Sequence, residues 1–122
     1  MRFHHQRISG SMDLEELLRT IYPKQGKYRF AAASLIKAAG SEERGLDAHG
    51  LNKLCVERGI SRATMQKVFV HLRALGMIER RNARYYVIKD FASALRRMGD
   101  AWKRIVNEKR FDFDESKIKI SI

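Results

Sequence analysis

Arg58–Arg80 reads RGISRATMQKVFVHLRALGMIER, and Gly59 and Gly76 punctuate it. Ser61 follows the first glycine, and a serine hydroxyl is well suited to accept from the free N–H groups that open a helix. Gly76 suits the left-handed residue that closes one. The spacing predicts a helix from Arg62 to Leu75. Met65, Phe69, Leu72 and Leu75 recur in it at intervals of four, three and three, the stripe of a helix with one face in a core. The other face and the flanks are basic: Arg58, Arg62, Lys67, Arg73 and Arg80 stand against the single acid Glu79.

The rest of the chain gives that basic face a context. Its 122 residues suffice for one domain with an apolar core. Lys and Arg number 25 against 14 Asp and Glu, a formal net charge of +11. Such an excess works against compaction by self-repulsion and points to an anionic partner, nucleic acid ahead of an anionic membrane surface. Cys55 is the only cysteine, which excludes an intrachain disulfide and a zinc site built on several cysteines. No apolar run approaches the ~20 residues of a membrane span, and no signal-peptide pattern opens the chain. The expected location is the cytoplasm, with no role for a membrane.

Upstream of the opening stretch, residues 1–12 have no helical or strand period and read as a flexible basic arm. The Gly10-Ser11-Met12 triplet resembles a vector-derived junction, so part of this arm is expected to be foreign. Asp13 is placed to cap a helix carrying Leu14, Leu17, Leu18 and Ile21 on one face, stopped by Pro23 and Gly26. Tyr28–Gly40 reads as a second helix, with Phe30 and Ile36 in neighbouring rows and Gly40 as its stop. A polar loop follows, and Asp47 caps a third helix that presents Leu51, Leu54 and Cys55 inward.

Downstream, MIERR and RYYVI are short β-prone runs separated by Asn82-Ala83, the pattern of a tight hairpin. Tyr85 and Tyr86 then point to opposite faces, one to the core and one to the hairpin's base. Asp90 is placed to cap a long helix over 91–110. There Phe91, Leu95, Met98, Trp102 and Ile105 recur at intervals of four, three, four and three, close to a heptad seam. The tail, 111–122, alternates Ile118, Ile120 and Ile122 with polar residues, as an edge strand or a frayed end.

The segment Leu54–Ile78, LCVERGIS followed by RATMQKVFVHLRALGMI, resembles the winged helix-turn-helix transcription regulators of bacteria and archaea. The resemblance implies a mainly α fold with a small β-hairpin wing, here extended by a long C-terminal helix. It makes 13–90 a DNA-binding domain and 91–110 a dimerisation helix. Val56 and Arg58 depart from the polarity usual in the last turn of the first helix, and the wing tip is short. The recognition helix would then offer Ser61, Arg62, Ala63, Thr64, Gln66, Lys67, Val70 and Arg73 to double-stranded DNA, and the wing Arg81, Asn82 and Arg84. Arg and Gln make paired contacts to guanine and adenine edges, while Ala63 and Val70 can meet a thymine methyl. Lys67, Arg73 and the wing arginines suit phosphate. The expected protein is a sequence-specific transcriptional regulator acting as a homodimer. The alternative is an RNA-binding or protein-interaction winged module of a larger assembly.

No catalytic constellation is legible. QGKY at 25–28 lacks the first glycine and the Ser or Thr of a phosphate loop. His49 and His71 have no partner at ligand spacing, and Asp112, Asp114 and Glu115 are too few for a cation site. Neither an enzyme activity, a metal nor a cofactor is expected.

Overall fold

The structure, a computed structural model, describes residues 10–119; residues 1–9 of the basic arm expected at 1–12, and the end of the tail with Ile120 and Ile122, lie outside the described residues. Among the described residues, six helices and one antiparallel hairpin follow in the order α1 (Leu14–Ile21), α2 (Gly26–Ser41), α3 (Ala48–Arg58), α4 (Arg62–Leu75), β1 (Ile78–Arg81), β2 (Arg84–Val87), α5 (Asp90–Asn107) and α6 (Glu115–Lys119).

Helix α1 starts as its sequence predicts, with the Asp13 carboxylate accepting from the Glu16 N–H at 2.8 Å. Leu18 is fully buried, whereas Leu14 stays exposed at the edge. Helix α2 differs from the expectation at both ends and in its buried face. It opens at Gly26, and Gly40 sits inside it rather than stopping it. The left-handed residue that turns the chain is Gly45, at φ +82°. Ala31, Ala32, Leu35 and Ala39 are the residues that turn inward, and Phe30 faces out beneath the Arg58 guanidinium. The small side chains explain α2's place at the centre of the bundle, since alanine lets neighbouring backbones approach closely. It packs chiefly on α4, and also on α1, α3 and β2.

Helices α3 and α4 join through Gly59-Ile60-Ser61. Gly59 adopts φ +65°, and the N–H of the buried Ile60 closes on the Cys55 carbonyl at 2.9 Å. This is a Schellman-type end with its following apolar residue. Ser61 caps α4 by accepting from the Thr64 N–H at 3.1 Å. The core stripe of α4 is Met65, Val68, Phe69 and Leu72, so Val68 joins the stripe read from spacing, and Leu75 is only half-buried. Leu18, Leu35, Val68, Leu72 and Ile78 are the largest fully buried side chains. Each contributes about 1.5–3 kcal/mol by leaving water.

Met77 returns its N–H to the Leu72 carbonyl and the chain enters the hairpin, where Glu79 pairs with Tyr86, Arg80 with Tyr85 and Arg81 with Arg84. Asn82 and Ala83 both have positive φ, 52° and 61°. That is the two-residue turn whose twist matches paired strands, although alanine adopts it at a cost. Leu46 adds an isolated antiparallel bridge on the other side of β2, exchanging both backbone hydrogen bonds with Tyr85 at 2.9 Å. The Tyr85 ring meets Phe69 edge-on, with centroids 4.9 Å apart. Tyr85 is thus the inward tyrosine, and the Tyr86 ring lies beside Gly45 and Arg81.

Helix α5 begins where the Phe91 N–H reaches the Gly76 carbonyl at 2.9 Å. Asp90 is its first residue and not its cap; Lys89 holds the cap position without a side-chain bond. Beyond Phe91 the helix leaves the core, and none of its residues is buried. Leu95, Met98, Trp102 and Val106 are exposed along it. The tail forms the short helix α6 rather than an edge strand. Among the described residues, no helix is long and apolar enough to cross a membrane.

Candidate nucleic-acid interface

With Met65, Val68, Phe69 and Leu72 turned to the core, α4 presents Arg62, Ala63, Gln66, Lys67, Val70 and Arg73 to solvent. One helix face therefore carries guanidinium, carboxamide, ammonium and aliphatic groups together. Val70 is 45% exposed on it. Among the described residues, no carboxylate pairs with Arg62, Lys67 or Arg73, whereas Arg19–Glu15, Lys53–Glu57, Arg81–Glu79 and Arg110–Glu108 form ion pairs elsewhere. No carboxylate among the described residues neutralises the positive charge of this face.

Several of these side chains have internal tasks as well. Ser61 and Thr64 bond to each other at 2.9 Å and form the cap. Arg62 donates to Asn52 Oδ1 on α3 at 2.7 Å, which holds its guanidinium across the α3–α4 angle. Arg73 lies over the Phe69 ring, 5.6 Å from its centre. Between α3, α4 and β2 opens a cavity of about 470 Å³ lined by Leu51, Asn52, Arg62, Ala63, Gln66 and Tyr85 among others. Cys55 also borders it and is buried. Burial pushes its thiol up, with the positive charge of Arg62 opposing.

The hairpin offers less than its sequence promised. Arg81 is tied to Glu79 at 2.9 Å and stacks 4.4 Å from the Tyr86 ring centre. Arg84 turns inward and donates to the Gly45 carbonyl at 3.3 Å. The tip that faces outward is Arg81, Asn82 and Ala83, all exposed. Gly45 is required here, because a Cβ at this position would lie 2.8 Å from the Tyr86 ring.

The structure also brings in residues that the sequence pattern did not single out. Asn52 reaches Arg62 from ten positions away, and no periodicity announces such a pair. Lys67 shares a shallow cavity of about 230 Å³ with Gln25 and Tyr28 at the corner between α1 and α2. The Lys27 ammonium lies 5.3 Å from the centre of the Tyr28 ring, which lines this cavity. His71, on the same cavity, is hydrogen-bonded through Nδ1 to the Tyr22 hydroxyl. Burial raises the Tyr22 phenol. The cluster expected to dimerise divides: Phe91 packs against the core, while Leu95, Met98 and Trp102 are exposed and Ile105 half-exposed.

No protein-family model matches the chain, and no curated protein or solved structure matches it.

Proposed function

We propose that the chain is a winged helix-turn-helix protein that binds double-stranded DNA with sequence preference, as a regulator of transcription. The exposed face of α4 carries this reading. A solvated helix face has no need to leave Val70 uncovered among unpaired cations, whereas a major groove takes such a mixture. The order of elements supports it: α3, a three-residue turn, α4 and a hairpin braced by Leu46. In this reading Gln66 and Arg62 meet base edges, Ala63 and Val70 meet thymine methyls, and Lys67 and Arg73 meet phosphates. Arg81 and Asn82 at the hairpin tip touch the backbone. Arg84 belongs to the scaffold that holds the hairpin to Gly45. Two copies working together would read two half-sites about 34–36 Å apart.

The test is selection of bound duplexes from a random DNA pool at two salt concentrations. A recovered motif that persists at the higher salt is the expected result. Binding with no motif, lost as salt rises, would reduce the basic face to a nonspecific anion surface. Tighter binding to structured RNA than to any duplex would point to the RNA-binding alternative.

A further inference from the structure

Of the cations that α4 turns outward, Arg62 alone is held by a side-chain hydrogen bond among the described residues: its Nη2 donates to Asn52 Oδ1 on α3 at 2.7 Å. Arg73 leans on its own helix, over the Phe69 ring.

We propose that Asn52 is the positioning residue for base recognition, setting Arg62 in the orientation in which its guanidinium reads a guanine in the major groove. The inference rests on the reading of α4 as a DNA-recognition helix, and names what gives that helix its sequence preference.

The first ground is conformational freedom. An unheld arginine side chain spreads over many rotamers and loses that freedom when it is ordered. Arg62 is ordered against α3 before any DNA arrives, so binding bears less of that loss.

Donor accounting is the second ground. A guanidinium has five N–H donors and no acceptor, so the carbonyl oxygen of Asn52, and not its NH2, faces Arg62. One donor is engaged there, and no carboxylate among the described residues takes the rest. Guanine offers O6 and N7 as a pair of acceptors, and the remaining donors are enough for that pair. Asn52, Arg62, Ala63 and Gln66 border one cavity of about 470 Å³, so Arg62 and Gln66 present to the same open space.

The choice of asparagine is the third ground. Nothing within α3 calls for it: Asp47 caps the helix, Gly59 closes it, and Leu51, Leu54 and Cys55 are its inward residues. Asn52 is exposed, and asparagine is a poor residue inside a helix. As a neutral acceptor, it holds Arg62 without cancelling the positive charge that phosphates attract.

The experiment is selection from a random duplex pool by the parent chain, Asn52→Ala, Asn52→Asp, Arg62→Ala and the doubly substituted Asn52→Ala, Arg62→Ala chain. Affinities are then measured for the selected duplex and its single-base variants. The parent motif should hold a guanine whose preference Arg62→Ala abolishes. Asn52→Ala should lower the preference at that position alone by about two- to tenfold, the worth of one immobilised side chain, with an unchanged salt slope. In the Arg62→Ala background it should change nothing. Asn52→Asp keeps the acceptor, and should keep the preference while weakening every duplex alike. Without DNA, nuclear magnetic relaxation of the Arg62 Nε–H should show an ordered side chain in the parent and a mobile one in Asn52→Ala.

A loss spread evenly over all sequences would make Asn52 a support of the fold only. A raised preference would make the bond a restraint on Arg62. An effect that survives in Arg62→Ala would make Asn52 a base contact in its own right. Each of these overturns the proposal, as does a mobile Arg62 in the free parent. A parent that selects no motif ends the DNA reading and the proposal with it, whereas a parent motif indifferent to Asn52→Ala ends the proposal alone.

Discussion

Gly76→Ala and Gly59→Ala form a matched pair whose difference measures how tightly α4, the hairpin and α5 are joined. Both glycines close helices at positive φ, +83° and +65°. An alanine there pays about 1–2 kcal/mol for the left-handed conformation, offset by about 0.4–1 kcal/mol because the unfolded chain loses freedom. A Cβ at Gly59 meets nothing within 4 Å, so Gly59→Ala should cost only that net, about 0.5–1 kcal/mol. A Cβ at Gly76 would fall 2.9 Å from the Phe91 nitrogen and 3.0 Å from the Asp90 carbonyl carbon. These are backbone atoms, and the same Phe91 N–H is bonded to the Gly76 carbonyl. Moving them means displacing the start of α5, at about 1–3 kcal/mol more. Urea denaturation followed by far-ultraviolet circular dichroism reads both variants against the parent. Equal losses for the two substitutions would refute the account, because they would show that α5 does not press on the end of α4.

Gln66→Ala should change which duplexes are selected, whereas Lys67→Ala should weaken all duplexes alike and reduce the slope of log K against log salt by about 0.9; unchanged selection and slope in both would remove α4 from the interface. Ala83→Gly should stabilise the chain by about 0.5–1 kcal/mol, since it relieves a left-handed alanine in the hairpin turn, and a loss of stability in thermal melts would contradict that turn. Cys55 and Tyr22 are both raised by burial, from ordinary values of 9.0 and 10.0. The folded state holds these protons more tightly than the unfolded one. Their contribution is therefore complete below pH 9 and is lost as pH rises through the folded values. Cys55→Ala with Tyr22→Phe should flatten the alkaline decline seen in denaturation curves between neutral pH and pH 11, about the top of the range in which the ordinary groups titrate.

Local chemistry made the caps legible. Asp13, Asp47 and Ser61 each hold the N–H three residues on, because a cap is a contact within one turn and needs no other part of the chain. The Asn82-Ala83 turn and the long seam of α5 were legible for the same reason. Helix α2 was not. Its apolar residues are so many that spacing alone does not say which side is covered, and neighbours on α1, α3, α4 and the hairpin chose Ala31, Ala32, Leu35 and Ala39. Gly40 read as a stop because glycine permits a left-handed turn, but permission is not a requirement, and Gly45 made the turn.

The basic outer face of α4 followed from periodicity once the core stripe was recognised. What the free cations of that face do beside their neighbours is a tertiary matter. Arg84 was indistinguishable from Arg81 in the sequence, yet the pairing of Leu46 with Tyr85 brings the Gly45 carbonyl within its reach. Asn52 beside Arg62, and Tyr28 on the cavity of Lys67, likewise exist only after helices distant in the chain pack together. The sequence by itself determined where α1, α3 and α4 start, where the hairpin turns, the sign of the charge and the apolar strip of α5, since each depends on a few adjacent residues. Which cations remain free, and that the strip of α5 stays uncovered, depended on how the elements pack, because burial and charge pairing are properties of neighbours in space.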